Sequence, residues 1–248
     1  MMSMRTLDWW RGLLGVEFSP VSHRERLISA LGACLSMMFV YAMTLALLGP
    51  SHAPIMAAPI GATAVLLFAV PHGALSQPWP VIGGYLVSTA IGVACATWVP
   101  NEMLAAGLAV GLAVAAMHYL RCIHPPGGAM ALLAVIGGEQ IHALGFRLVL
   151  APVLINALFV VVAAIAFNAL FAWRRYPAVL AHGKVAASPA PAERRAISHE
   201  DFVYALSEMD SFIDVGEEDL LRIYALATGH HPVALAAEEG LRAQPSRP

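Results

Sequence analysis

The chain has 248 residues, of which 59% are hydrophobic and 12% charged, and a formal net charge of −2. That balance excludes an ordinary water-soluble domain, and the slight negative charge argues against a nucleic-acid partner. From Leu27 to Asn101 there is no Asp, Glu, Lys or Arg, a pattern that predicts an all-α, multi-pass membrane protein in contact with lipid.

In chain order, residues 1–23 form an N-terminal segment in which Trp9 and Trp10 stand beside Arg5 and Arg11. This mixture suits the headgroup zone, so a short interfacial helix is expected over 4–15 rather than a cleavable signal. His23-Arg24-Glu25-Arg26 marks a cytoplasmic edge, and Leu27–Leu48 is long enough to cross the bilayer. Gly49-Pro50 breaks that span. The apolar run Pro59–Val70 follows, and at about 1.5 Å per residue it reaches only about 18 Å. Val81–Val99 and Leu104–Leu120 are full spans. A second break at His124-Pro125-Pro126 precedes a second short run, Gly127–Ile136, and Gly145–Trp173 makes a long final span.

The two short runs are the most informative part of the sequence. Proline stops a helix that precedes it and suits the first turn of a new one, and glycine admits close approach of another group. Aligning Pro59 with Pro126 superposes Gly61 on Gly128 and Ala62 on Ala129, which suggests an internal duplication. Arg24, Arg26, Arg174 and Arg175 put both ends of the membrane part in the cytoplasm by the positive-inside rule, so the number of crossings is even. Four crossings would leave Arg121 outside and Glu102 inside. Six reverse both and fit better. Three crossings per half then give an inverted 3+3 repeat with two short broken helices, a plan that puts substrate near the midplane. The helix starts at Gly61-Ala62-Thr63 and at His124-Pro125-Pro126-Gly127-Gly128-Ala129 are expected to oppose each other there. Each dipole would contribute about 0.3–2 kcal/mol towards an anion, with unpaired backbone N–H groups supplying the remainder.

His124-Pro125-Pro126-Gly127-Gly128-Ala129 resembles the signature of the HPP family of integral membrane proteins. Pro59-Ile60-Gly61-Ala62-Thr63-Ala64 through Pro71 is similar to that family's first motif, and Gln77-Pro78-Trp79 to the element after it. The resemblance covers roughly Arg24 to Arg175. It implies a transporter, with nitrite as the substrate suggested by plant chloroplast and cyanobacterial relatives, in a form without the paired CBS domains that some relatives carry. A bacterial inner membrane is the expected location.

Nine residues are therefore expected to line a substrate site: Gly61, Ala62, Thr63, His124, Pro125, Pro126, Gly127, Gly128 and Ala129. His124 reads equally as a donor to an anion and as a cap for backbone groups. For Thr63, back-bonding to a preceding carbonyl is the expected role. Gly128→Val is expected to block passage. His118 reads as a satisfied core histidine, and Asn156 and Asn168 as bundle-facing bridges. Two small-residue stripes, Gly84/Ser88/Gly92/Ala96 and Gly107/Gly111/Ala115, read as close helix contacts, within one subunit or between copies in a homo-oligomer. No catalytic residue, cofactor or metal is expected. His118, His124 and His142 match no zinc spacing, and no hydrolase triad is present.

The membrane domain, 24–175, gives way at 176–197 to a linker. Ser198-His199-Glu200-Asp201 has the form of a capping box and opens a small cytoplasmic helical hairpin over 198–228, ahead of a tail expected to be disordered over 229–248. The function expected is passage of a small monovalent anion. The alternative is a membrane-embedded sensor or scaffold that signals through the hairpin.

Overall fold

The computed structural model describes residues 14, 21–50 and 53–181. The interfacial segment, the hairpin, the tail and most of the linker lie outside them. The described residues form helices and turns. Helix α1 spans His23–Leu48, α2 Ala53–Ala69, α3 Pro78–Trp98, α4 Glu102–Tyr119 and α5 Pro125–Ile136. After the single turn α6, Glu139–His142, come a π-helical stretch at Val149–Leu154, helix α7 at Ile155–Asn168 and a terminal turn, α8, at Ala178–Ala181. Among the described residues, four helices are long and apolar enough to cross a membrane: His23–Leu47, Pro78–Trp98, Glu102–Tyr119 and Val149–Asn168.

Local chemistry sets the helix ends. The Ser22 hydroxyl accepts from the Glu25 amide and opens α1, and Asn101 does the same for α4 through Leu104. Pro78 and Pro125 occupy first turns, where a missing N–H costs nothing. Gly49 closes α1 with φ of 84°, a backbone state that suits glycine.

Two of the expected boundaries are corrected. The first short helix does not begin at Pro59 to Thr63. It starts at Ala53, runs for 17 residues and carries Pro59 inside it. Pro54 suits the first turn, and an interior proline is tolerated where neighbouring groups use the freed backbone. Gly61, Ala62 and Thr63 are therefore interior residues of α2 with no helix N-terminus among them. The last span is likewise shorter than Gly145–Trp173. It is broken at Ala151, whose φ of −137° and ψ of 116° are extended. A residue before proline is pushed out of the helical region, and Pro152 follows.

The helices pack in two groups of three. α1, α2 and α7 contact one another, as do α3, α4 and α5, and α2 against α5 and α3 against α7 join the groups. The α3 stripe lies directly on α5: a Cβ on Gly84 would stand 2.6 Å from His124 Cβ, and one on Gly92 would stand 2.4 Å from the Ala131 carbonyl oxygen. That stripe packs within the subunit. The α4 stripe does not. Gly107, Gly111 and Ala115 are exposed, and Ala105, Ala109 and Ala113 face the core instead.

At one end of the bundle the turn before α3 is tied to the chain's last described residues. Tyr176 donates to the Ser76 carbonyl at 2.8 Å, the Ala178 amide donates to Gln77 Oε1 at 3.0 Å, and Trp79 Nε1 donates to the Leu120 carbonyl at 3.1 Å. Arg174 is buried at this end as well. Its guanidinium pairs with Glu25, and it donates to Ser29 Oγ at 3.1 Å, Asn168 Oδ1 at 3.1 Å and the Phe68 carbonyl at 2.6 Å. Trp173 Nε1 donates to the other Glu25 oxygen at 3.1 Å, and Arg24 lies over the Trp173 ring. One arginine thereby joins the start of α1, the last turn of α2 and the end of α7. Burial pulls its guanidinium below the ordinary value and Glu25 pulls it back. At the opposite end, Trp98, the last residue of α3, meets Phe146 before α7. Asn156 and Asn168 are both buried and bridge helices, Asn156 to Thr44 of α1 and Asn168 to the Leu67 carbonyl of α2.

Candidate functional site

Where α2, α3 and the start of α5 meet, three polar side chains form a continuous chain out of contact with solvent. Thr63 on α2 and His124 ahead of α5 are 0% exposed, and Tyr85 on α3 is 1% exposed. Thr63 Oγ1 stands 2.8 Å from His124 Nε2 and 2.6 Å from the Tyr85 hydroxyl. Tyr85 donates onwards to the Pro59 carbonyl at 2.7 Å. The other ring nitrogen of His124, Nδ1, is 3.0 Å from the Leu75 carbonyl. A carbonyl only accepts, so Nδ1 carries a proton there. The Tyr85 and His124 rings pack edge to face with centroids 5.2 Å apart.

The sequence explains each placement. The prolines after His124 stop the chain from continuing as helix, so His124 is extended at φ −142° and ψ 103°, and its side chain leaves the axis of α5. Gly84 gives it room, since any side chain there would overlap His124 Cβ. Thr63 does not back-bond to the carbonyl four residues earlier. Tyr85 occupies that oxygen, so the Thr63 hydroxyl turns to its neighbours.

The nine expected residues fall into two sets. Thr63 and His124 are brought together, and Pro126 and Gly127 are buried beside them. Gly127 is a packing glycine: a Cβ would stand 2.9 Å from both the Gly84 carbonyl oxygen and Ser88 Oγ. Gly61, Ala62, Pro125, Gly128 and Ala129 are partly or fully exposed on the outer faces of their helices. Pro125, Gly128 and Ala129 line an apolar groove of about 450 Å3 with Val110, Val114 and Leu132. The start of α5 also offers less to an anion than its sequence suggests. Its first two residues are prolines without N–H, and the Gly127 amide donates to the His124 carbonyl at 2.8 Å. The polar capacity lies in side chains instead.

Tyr85 was not among the expected residues. Its signal was present, because a phenol in a charge-free membrane helix needs a partner for its hydroxyl. Ser88, one turn further along α3, is fully buried, and its hydroxyl has no partner among the described residues. The other expected histidines stand apart from this site. His118 is exposed on α4 rather than in the core, and His142 Nε2 is 2.8 Å from the Val135 carbonyl.

The chain resembles known membrane proteins. Two proteins of Dictyostelium discoideum, each described as a transmembrane protein, are 38% identical to it over 120 residues. The matches cover 47% of this chain and 38% and 42% of theirs, so the chain spans about two fifths of the length of the curated relatives it matches. No solved structure matches it. The family model described as the HPP transmembrane region matches residues 18–177, which take in all six helices from α1 to α7 apart from the single turn α6, both short helices and the His124–Thr63–Tyr85 chain; this protein belongs to the HPP family.

Proposed function

We propose that this protein is a membrane transporter or channel for a small monovalent anion, with nitrite the first candidate offered by the family resemblance. The observation that carries the reading is the buried Thr63–His124–Tyr85 chain at the meeting of two helices shorter than the long spans. Polar groups are costly to bury inside a membrane domain unless they are hydrogen-bonded, and an ionisable residue kept there marks a candidate pathway. Ser88 adds a third hydroxyl, which has no partner among the described residues and borders the first turn of α5. The Ser88 hydroxyl is free to donate to a small oxyanion, and the positive end of α5 adds to the attraction.

Six crossings follow from the same reading. The turn over residues 71–77 bonds to Arg175, Tyr176 and Ala178, at the end of the bundle where Glu25 opens α1, which supports α2 as a crossing helix. The packing also supports a 3+3 inverted repeat in which each half lends its third helix to the other: α3 joins α4 and α5, and α7 joins α1 and α2. Both ends of the domain then face the cytoplasm, and the protein resides in the cell (inner) membrane.

Flux of nitrite, nitrate, formate and chloride into liposomes that hold the purified full chain tests the function. Flux that prefers nitrite supports the assignment. Absence of flux for all four, from protein shown to be folded, overturns it.

A further inference from the structure

The geometry points to His124 as a proton-binding site whose proton is taken up together with the anion, so that anion and proton cross as a pair. This rests on the anion-transport reading above. The argument is a count of hydrogens. Four contacts form one line: Leu75 carbonyl to Nδ1, Nε2 to Thr63 Oγ1, Oγ1 to the Tyr85 hydroxyl, and that hydroxyl to the Pro59 carbonyl. Both ends of the line are carbonyl oxygens, which only accept. A neutral histidine contributes one hydrogen, threonine one and tyrosine one. Three hydrogens cannot serve four contacts, so in the neutral state two lone pairs face each other at 2.6 to 2.8 Å. One added proton on Nε2 removes the deficit. Nε2–H then donates to Thr63, Thr63 to Tyr85 and Tyr85 to Pro59, and every contact carries a hydrogen.

The cost of that proton is its charge. An imidazolium buried without a counter-ion is strongly disfavoured in a membrane interior, and here it would also stand at the positive end of α5. The described surroundings hold no fixed counter-charge. α2 and the Ala74–Ser76 turn carry no titratable group, Tyr85 is the group that faces the ring from α3, and Cys122 lies in the same turn as His124. Glu102 and His118 on α4, and Glu139 and His142 beyond α5, sit at helix ends. A small anion is what neutralises the site. Hydrogen bonding favours the proton, burial opposes it, and the anion decides the balance. The proton comes from solvent and returns to solvent on release, so within the protein the one covalent bond that forms and later breaks is Nε2–H.

The test is proton counting. Sodium nitrite is added to the full chain in detergent, in weakly buffered solution at matched pH, with a pH indicator present and anion binding followed in parallel by equilibrium dialysis. About one proton is taken up per chain at saturation, one being the deficit in the hydrogen count. The uptake is lost in His124→Gln. In Thr63→Val, which keeps the side-chain volume and the ring but removes the acceptor of Nε2–H, it is reduced. Nitrite binding with no proton uptake, or uptake unchanged in both variants, overturns the inference and leaves the transport reading standing. Absence of binding by folded protein overturns both.

Discussion

Two buried polar clusters of this domain make opposite use of their hydrogen bonds. At the edge of the bundle, Arg174 spends donors on Glu25, Ser29, Asn168 and Phe68, and its charge is matched by Glu25. Inside it, the Thr63–His124–Tyr85 chain is one hydrogen short of its contacts when His124 is neutral. The first cluster is satisfied, and it ties three helices at one end. The second is unsatisfied, and a ligand or a proton can change its state. In the proposed reading, the salt bridge at the edge is the lock and the chain inside is the part that works.

The largest effect is expected from breaking the lock. Arg174→Met leaves Glu25 buried without its partner and should destabilise the domain by about 3–5 kcal/mol. Thermal unfolding followed in detergent checks this, and a melting temperature equal to that of the unaltered chain would contradict the structural role. Gly127→Ala comes next. Its methyl group would meet the Gly84 carbonyl and Ser88 Oγ, and the overpacking should cost about 1–3 kcal/mol. Tyr85→Phe removes the hydroxyl that reaches Thr63 and the Pro59 carbonyl. It should cost about 1 kcal/mol in stability and a larger share of flux, since it shortens the polar chain. The smallest effect, and of opposite sign, belongs to Gly128→Ala: nothing lies within 4 Å of the added carbon, and alanine for a helical glycine should raise stability by about 0.4–1 kcal/mol. Equal responses at Gly127 and Gly128 would erase the distinction between the inner and outer faces of α5.

Much of the architecture was legible in the sequence. The run without charge from Leu27 to Asn101 dictates membrane helices, and the prolines at 125 and 126 mark the start of α5, whereas α3 opens at Pro78, three residues ahead of the expected Val81. The start of α2 was not legible, because Pro54 and Pro59 both read as openings and only packing decides which one the helix absorbs. The break at Ala151 was legible in principle from Pro152, but the apolar run around it reads as continuous helix. Arg174 reads as a flanking positive charge. Its burial depends on Glu25, which is remote in sequence. Among the candidate site residues, His124 was named for its chemistry and Thr63 as part of a helix start with a back-bonding hydroxyl, and the structure joins them through that hydroxyl. Gly61, Ala62, Gly128 and Ala129 were named for helix starts, and they lie on outer faces. Tyr85 escaped because one apolar helix hides which of its faces meets the histidine.

The account's central claim is that the anion path runs through the polar chain between α2, α3 and α5. Nitrite flux in liposomes that carry Thr63→Val tests it most directly, because valine keeps the shape and removes only the hydroxyl that joins His124 to Tyr85. The account predicts a loss of at least about tenfold, the equivalent of one hydrogen bond of about 1.4 kcal/mol, in protein that melts close to the unaltered chain. Flux equal to that of the unaltered chain would contradict it.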